Sequence, residues 1–175
     1  MAVGLKEMVV ESVRVHMLSS QHVVILKDTE RERFLPIWIG PWEANAIAMR
    51  LQGLTPDRPL THDLFSNTLV ELGVAVKRIV VSDLADETFR ARLYLELDGR
   101  SIDIDARPSD AIALAVRAGV PIFATDAVLD RAAVVPEQDE EEKLSVFREF
   151  VNSLGIDPGE GPGESERRED RKRLD

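Results

Sequence analysis

Between Thr88 and Gly119 the chain runs through strand, turn, strand and helix with almost no connecting residues. Thr88 to Leu97 alternates apolar and polar side chains, Asp98-Gly99 is a two-residue turn signal, and Arg100 to Ala106 follows at once. Two residues suffice only for antiparallel strands, because a parallel crossover needs a dozen or more. Val74 to Leu84 stands upstream across Ala85-Asp86-Glu87, so the sequence predicts a meander of three strands. Pro108 suits a first helical position, the apolar run through Ile112, Leu114 and Val116 continues from it, and Gly119 with Pro121 ends it. A short last strand is expected over Pro121 to Ala124.

The upstream half reads in the same way. Met8 to Leu26 is rich in Val, Ile and Leu and breaks at Ser19-Ser20-Gln21, which predicts a hairpin. Phe34 to Ile39 is a third strand. Gly40-Pro41 turns it into a helix over Trp42 to Leu51. After Pro56 and Pro59, Thr61 reads as the N-cap of a helix with the stripe Phe65, Leu69 and Leu72, stopped by Gly73. Strands grouped without regular βαβ alternation give an α+β class: a mainly antiparallel sheet with helices packed on one face.

At 175 residues, with 44% hydrophobic and 31% charged residues, one domain with a real core is expected. The expected divisions are a domain over 3–135, an acidic segment and amphipathic helix over 136–155, and a disordered charged tail over 156–175. Within the second, Leu144, Phe147, Phe150, Val151 and Leu154 keep helical spacing and Gly155 closes the run. A net charge of -10 argues against a broad basic footprint on nucleic acid. The absence of cysteine removes disulfides, thiolate metal sites and a thiol nucleophile, and it fits a cytoplasmic location. Lys6, Glu7, Glu11 and Arg14 interrupt the first apolar residues, so neither a signal peptide nor a membrane span is expected.

Three segments carry reactive groups at helix starts. In Arg107-Pro108-Ser109-Asp110, free backbone N–H groups and the Arg107 fork suit an anion, while Asp110 can hold a cation or water. In Arg58-Pro59-Leu60-Thr61-His62-Asp63, His62 can move protons near neutral pH and Asp63 can bind a metal. In Gly40-Pro41-Trp42-Glu43, Glu43 suits a metal ligand or general base. Each has a purely structural reading, because acidic residues in a first turn complement the helix dipole. Asp103 and Asp105 should share one strand face. Trp38 and Trp42 can stack on bases, though core or subunit interface is the commoner use of tryptophan.

The blocks LPIWIGPWEANAIA, RPLTHDL and IDARPSDAIALAVRAGVPIF, in that order and spacing, resemble the bifunctional nuclease (BFN) family over about Val3 to Val135. The resemblance implies a single BFN-like α+β domain, homo-oligomers, and nuclease activity of the kind reported for plant members on both RNA and DNA. Plant members also carry a C-terminal motif shared with excision-repair proteins, and here Lys143 to Leu154 stands in its place. Matching blocks nominate Glu43, Arg58, His62, Asp63, Arg107, Ser109 and Asp110. The implied chemistry is phosphodiester hydrolysis, with a divalent cation such as Mg or Mn on Asp63, Asp110 and Glu43, and His62 as proton shuttle. Arg58, Arg107 and Ser109 would hold a weakly bound RNA or DNA substrate. The competing expectation is a non-enzymatic oligomeric module that binds a small anion or a protein partner.

Overall fold

The computed structural model describes residues 4–16 and 18–135. The segments 136–155 and 156–175 therefore lie outside the described residues. Strands β1 (Leu5–His16), β2 (Gln21–Asp28) and β3 (Phe34–Ile39) lead to helices α1 (Pro41–Leu51) and α2 (Thr61–Glu71). Strands β4 (Ala75–Ala85), β5 (Thr88–Leu97) and β6 (Arg100–Ala106) form the meander; α3 (Pro108–Ala118), β7 (Ile122–Thr125) and α4 (Asp126–Ala132) complete the order. All described strands join one sheet in the order β3-β2-β1-β7-β4-β5-β6, antiparallel except for the β4 and β7 pair. The architecture is α+β, with a mixed and mostly antiparallel sheet.

The alternation read from the sequence sets the faces. Asp98 and Gly99 both take positive φ, 49° and 74°, the turn that matches the twist of β5 and β6. Leu93 and Leu95 then oppose Ile104 and Ile102 on one face, and Asp103 and Asp105 share the other. Buried residues of all four helices join one core cluster with Met8, Val24, Leu26, Ile79 and Val81. Among the described residues the helices therefore cover a single face. Among the described residues no helix is long and apolar enough to cross a membrane.

Helix α3 is central. Pro108, Ser109 and the run Ala111 to Ala115 are all buried, so the helix is covered nearly all round. Its alanines let α1 and α2 approach closely while Ile112 and Leu114 fill the core. The starts of all three helices are thereby brought within side-chain reach.

Several expectations change. Thr61 is the first helical residue and Leu60 the N-cap; the cap is made by Asp63, whose carboxylate accepts the Leu60 N–H at 2.9 Å. Of the α2 stripe only Leu69 is buried, while Phe65 and Leu72 are exposed, because α2 rests on α3 and β4 by one narrow edge. Neither tryptophan fills the core. Trp38 is 58% exposed on the sheet face away from the helices, and Trp42 is 82% exposed in the first turn of α1. The short last strand runs over Ile122–Thr125 and lies mid-sheet between β1 and β4, and α4 follows it.

Candidate active site

Four of the nominated side chains form one hydrogen-bonded chain across three helix starts. His62, in the first turn of α2, has Nε2 2.9 Å from Asp110 Oδ1. Arg107, the N-cap residue of α3, donates from Nε to Asp110 Oδ2 at 2.6 Å and from Nη2 to Glu43 Oε1 at 2.7 Å. Glu43 and Asp110 each occupy the first turn of their helix, where the dipole favours a carboxylate. Gly40 makes room for this arrangement: the Glu43 carboxylate lies where a Cβ on residue 40 would stand.

Burial pushes the Asp110 carboxyl up, but hydrogen bonds from Arg107 and His62 outweigh it and hold the group below the ordinary carboxylate range. Asp110 is consequently ionised near neutral pH and can only accept, so His62 Nε2 carries the hydrogen. In neutral His62 that leaves Nδ1 as the nitrogen able to take a proton. Hydrogen bonds to Asp110 and Glu43 raise the Arg107 pKa, fixing its charge. Two of its N–H groups are used in this chain. The Arg107 side chain is two-thirds exposed, and its remaining N–H groups, including both on Nη1, are available to an oxyanion.

Asp63 stands outside the chain. Its Oδ1 accepts from Arg117 Nε at 2.7 Å and its Oδ2 from the Leu60 N–H. Burial raises the Asp63 pKa, but the Arg117 and Leu60 hydrogen bonds prevail and hold it low. Arg117, whose side chain is only 8% exposed, also donates to the carbonyls of Ala46 and Ala113, tying α1, α2 and α3 together. Sequence reasoning missed Arg117. The available signal was a solitary charge within the otherwise apolar run Ala111 to Ala118. Arg58 is exposed on the loop before α2 and makes no ion pair with the four, and Ser109 is buried in the first turn of α3. A cleft of about 210 Å³ lies on the Asp63 and Arg117 side, lined also by Met49, Arg50, Leu54 and Asn67; none of the four linked residues lines it.

Among the described residues no three His, Asp or Glu side chains gather closely enough to hold a metal ion. Both Asp110 oxygens and one Glu43 oxygen are already engaged. A cation gains a carboxylate ligand set there only when Arg107 is drawn away.

The sequence model of the bifunctional nuclease domain matches residues 24–137, well over half of the chain, and spans all four linked residues. The chain belongs to the bifunctional nuclease domain family. Two Mycobacterium tuberculosis strains carry an uncharacterized relative 40% identical over 160 residues, covering 86% of this chain and 96% of that protein. Bifunctional nuclease 1 of Oryza sativa subsp. indica is 28% identical over 105 residues, 58% of this chain and 32% of the rice protein. Bifunctional nuclease 2 of Oryza sativa subsp. japonica is 29% identical over 103 residues, with shares of 57% and 32%. The chain thus aligns with about a third of each rice nuclease and nearly all of the mycobacterial relative. For this BFN-family chain, the linked His62, Asp110, Arg107 and Glu43 are the residues that fold into one candidate site.

Proposed function

We propose that this protein hydrolyses phosphodiester bonds in RNA, DNA or both, at the site formed by His62, Asp110, Arg107 and Glu43. The observation that carries the reading is the 2.9 Å contact from His62 to Asp110, which is itself held by Arg107. Membership of the BFN family and the nuclease names of the rice relatives support it. In this reading a phosphate oxygen binds the free edge of Arg107. A water attacks phosphorus, its proton passes to His62 Nδ1, and the bond to the leaving oxygen breaks as that oxygen takes up a proton from solvent. Asp110 steadies the imidazolium that forms, and Arg107 offsets charge on the phosphoryl oxygens. A phosphate drawing on Arg107 loosens it from Asp110 and Glu43, the carboxylates that would then hold a divalent cation such as Mg or Mn; such a cation supplies an activated water. Asp63, paired with Arg117, is a helix-positioning residue in this account.

Cleavage of labelled RNA and single-stranded DNA, with and without a chelator, tests the reading. Arg107→Ala is expected to weaken substrate binding at every sequence alike, and to reduce the steepness of the salt dependence by about 0.7, the increment for one phosphate contact on a single strand. An unchanged salt slope would remove Arg107 from the substrate site. Binding without turnover in the unaltered protein would favour the non-enzymatic module.

We also infer a homo-oligomer. Edge strand β6 leaves Ile102 and Ile104 exposed on the helix-bearing face, and α2 with its C-cap leaves Leu64, Phe65 and Leu72 exposed. Apolar area of this kind marks interaction surfaces. Sedimentation equilibrium is expected to give a multiple of the chain mass that falls in Phe65→Glu; a monomer at all concentrations would contradict it.

A further inference from the structure

A solvent-exposed tryptophan stands next to the linked residues. Trp42 is 82% exposed in the first turn of α1, and among the described residues it makes no hydrogen bond or ring contact. An indole left in water forgoes the stabilisation that its large apolar surface would gain from burial. The chain's other tryptophan, Trp38, lies on the far face of the sheet, away from the helices. Trp42 immediately precedes Glu43, whose carboxylate holds Arg107. Side chains on an α-helix tilt toward its N-terminus. Glu43 shows that tilt, since its carboxylate folds back to where a Cβ on Gly40 would stand. The indole of Trp42 therefore emerges at the end of α1 that meets Arg107, and Pro41 at the first helical position fixes the backbone beneath it.

We propose that Trp42 is a stacking platform for an unpaired nucleobase beside the phosphate held by Arg107, which makes the single strand the substrate of this site. The inference rests on the nuclease reading of the site and extends it to the form of nucleic acid. A net charge of -10 repels a polyanion, and the free edge of one arginine offers one phosphate contact, so affinity has to come from a term that charge does not govern. Stacking is such a term. Every base has a π-face, so an indole takes any of them and contributes about tenfold to a hundredfold in affinity. It does not distinguish ribose from deoxyribose, which agrees with a substrate of either kind. Arg107 fixes a phosphate and Trp42 the base next to it, so the two together set which bond lies before His62. In a duplex the faces of each base are already covered by its neighbours, and paired substrate gains nothing from the indole.

Full-length Trp38→Phe leaves Trp42 as the sole tryptophan. Its emission is expected to be quenched by a short oligothymidylate and unchanged by an abasic strand of the same length, which should bind at least about tenfold more weakly. Trp42→Ala should weaken oligothymidylate binding by about tenfold to a hundredfold, leave binding of the abasic strand as it was, and keep the salt slope that Arg107→Ala lowers. Trp42→Phe should recover most of the loss. Equal affinity for the two strands, or unchanged oligothymidylate affinity in Trp42→Ala, would overturn the proposal. Cleavage of RNA or DNA by the unaltered protein would in that case leave the hydrolytic reading standing, whereas an unaltered protein that neither binds nor cleaves either strand would reject both. A fall in sedimentation mass in Trp42→Ala would assign the indole to a contact between copies and equally reject the platform.

Discussion

Asp110→Ala is expected to lower the cleavage rate by about a hundredfold to a thousandfold, because one carboxylate serves two partners. Its Oδ1 sets the tautomer of His62 and its Oδ2 anchors Arg107, so truncation frees the proton acceptor and the phosphate ligand together. Asp110→Asn should separate these roles. The amide can still accept from one partner but no longer balances an imidazolium, so kcat should fall further than substrate affinity. Single-turnover cleavage with binding measured in parallel checks this. A loss confined to affinity would show that Asp110 only positions Arg107. The variant should remain folded, since Asp110 is partly exposed and its contribution to the start of α3 is worth about 1 kcal/mol or less.

The largest effect on stability is expected one residue from the site. Asp63→Ala should destabilise the fold by about 2 kcal/mol, since it leaves the nearly enclosed Arg117 without its counter-ion and removes the cap of α2. Denaturant unfolding measures the loss. The double variant Asp63→Ala with Arg117→Met should cost less than the sum of its parts, because no unpaired charge is then left behind. The pair also leaves a mark on the acid side. Asp63 and Asp110 both have folded-state pKa values below the ordinary carboxylate value, so their stabilisation is complete above about pH 4 and is lost as pH falls through the lower folded values. Unfolding followed from pH 5 downward should be less steep in Asp63→Ala. An identical acid limb would mean that Asp63 carries no such linkage.

How much of this was legible follows from the range over which each signal acts. Phe34–Ile39, Thr88–Leu97 and Arg100–Ala106 match the sequence reading residue for residue, since alternation and the Asp98-Gly99 turn are local. The start of α3 at Pro108 and its stop at Gly119 are equally local. The insertion of β7 beside β4 depends on long-range pairing that no neighbouring residue encodes. Helix α4 has only seven residues and too few turns to show a stripe. Trp38 shows the same limit: hydrophobicity marks it for burial, but its register beside Pro36 on β3 places it on the far face.

The site was legible as three helix starts and no further. His62 lies 48 residues from Asp110, and Glu43 lies 64 from Arg107, so their meeting follows from α3 packing between α1 and α2. Adjacent residues can serve different ends. His62 turns to Asp110 while Asp63 turns to Arg117, and nothing in the pair of letters separates them. Arg58, equally suited by charge, stays on an exposed loop.

The most direct measurement is the cleavage rate of a short single-stranded RNA and its DNA counterpart by unaltered protein and by His62→Ala, purified side by side. Cleavage of at least one substrate by the unaltered protein is expected, with a rate lower by about a hundredfold or more without the imidazole. Equal rates from the two preparations, or no cleavage of either substrate by the unaltered protein, would contradict it.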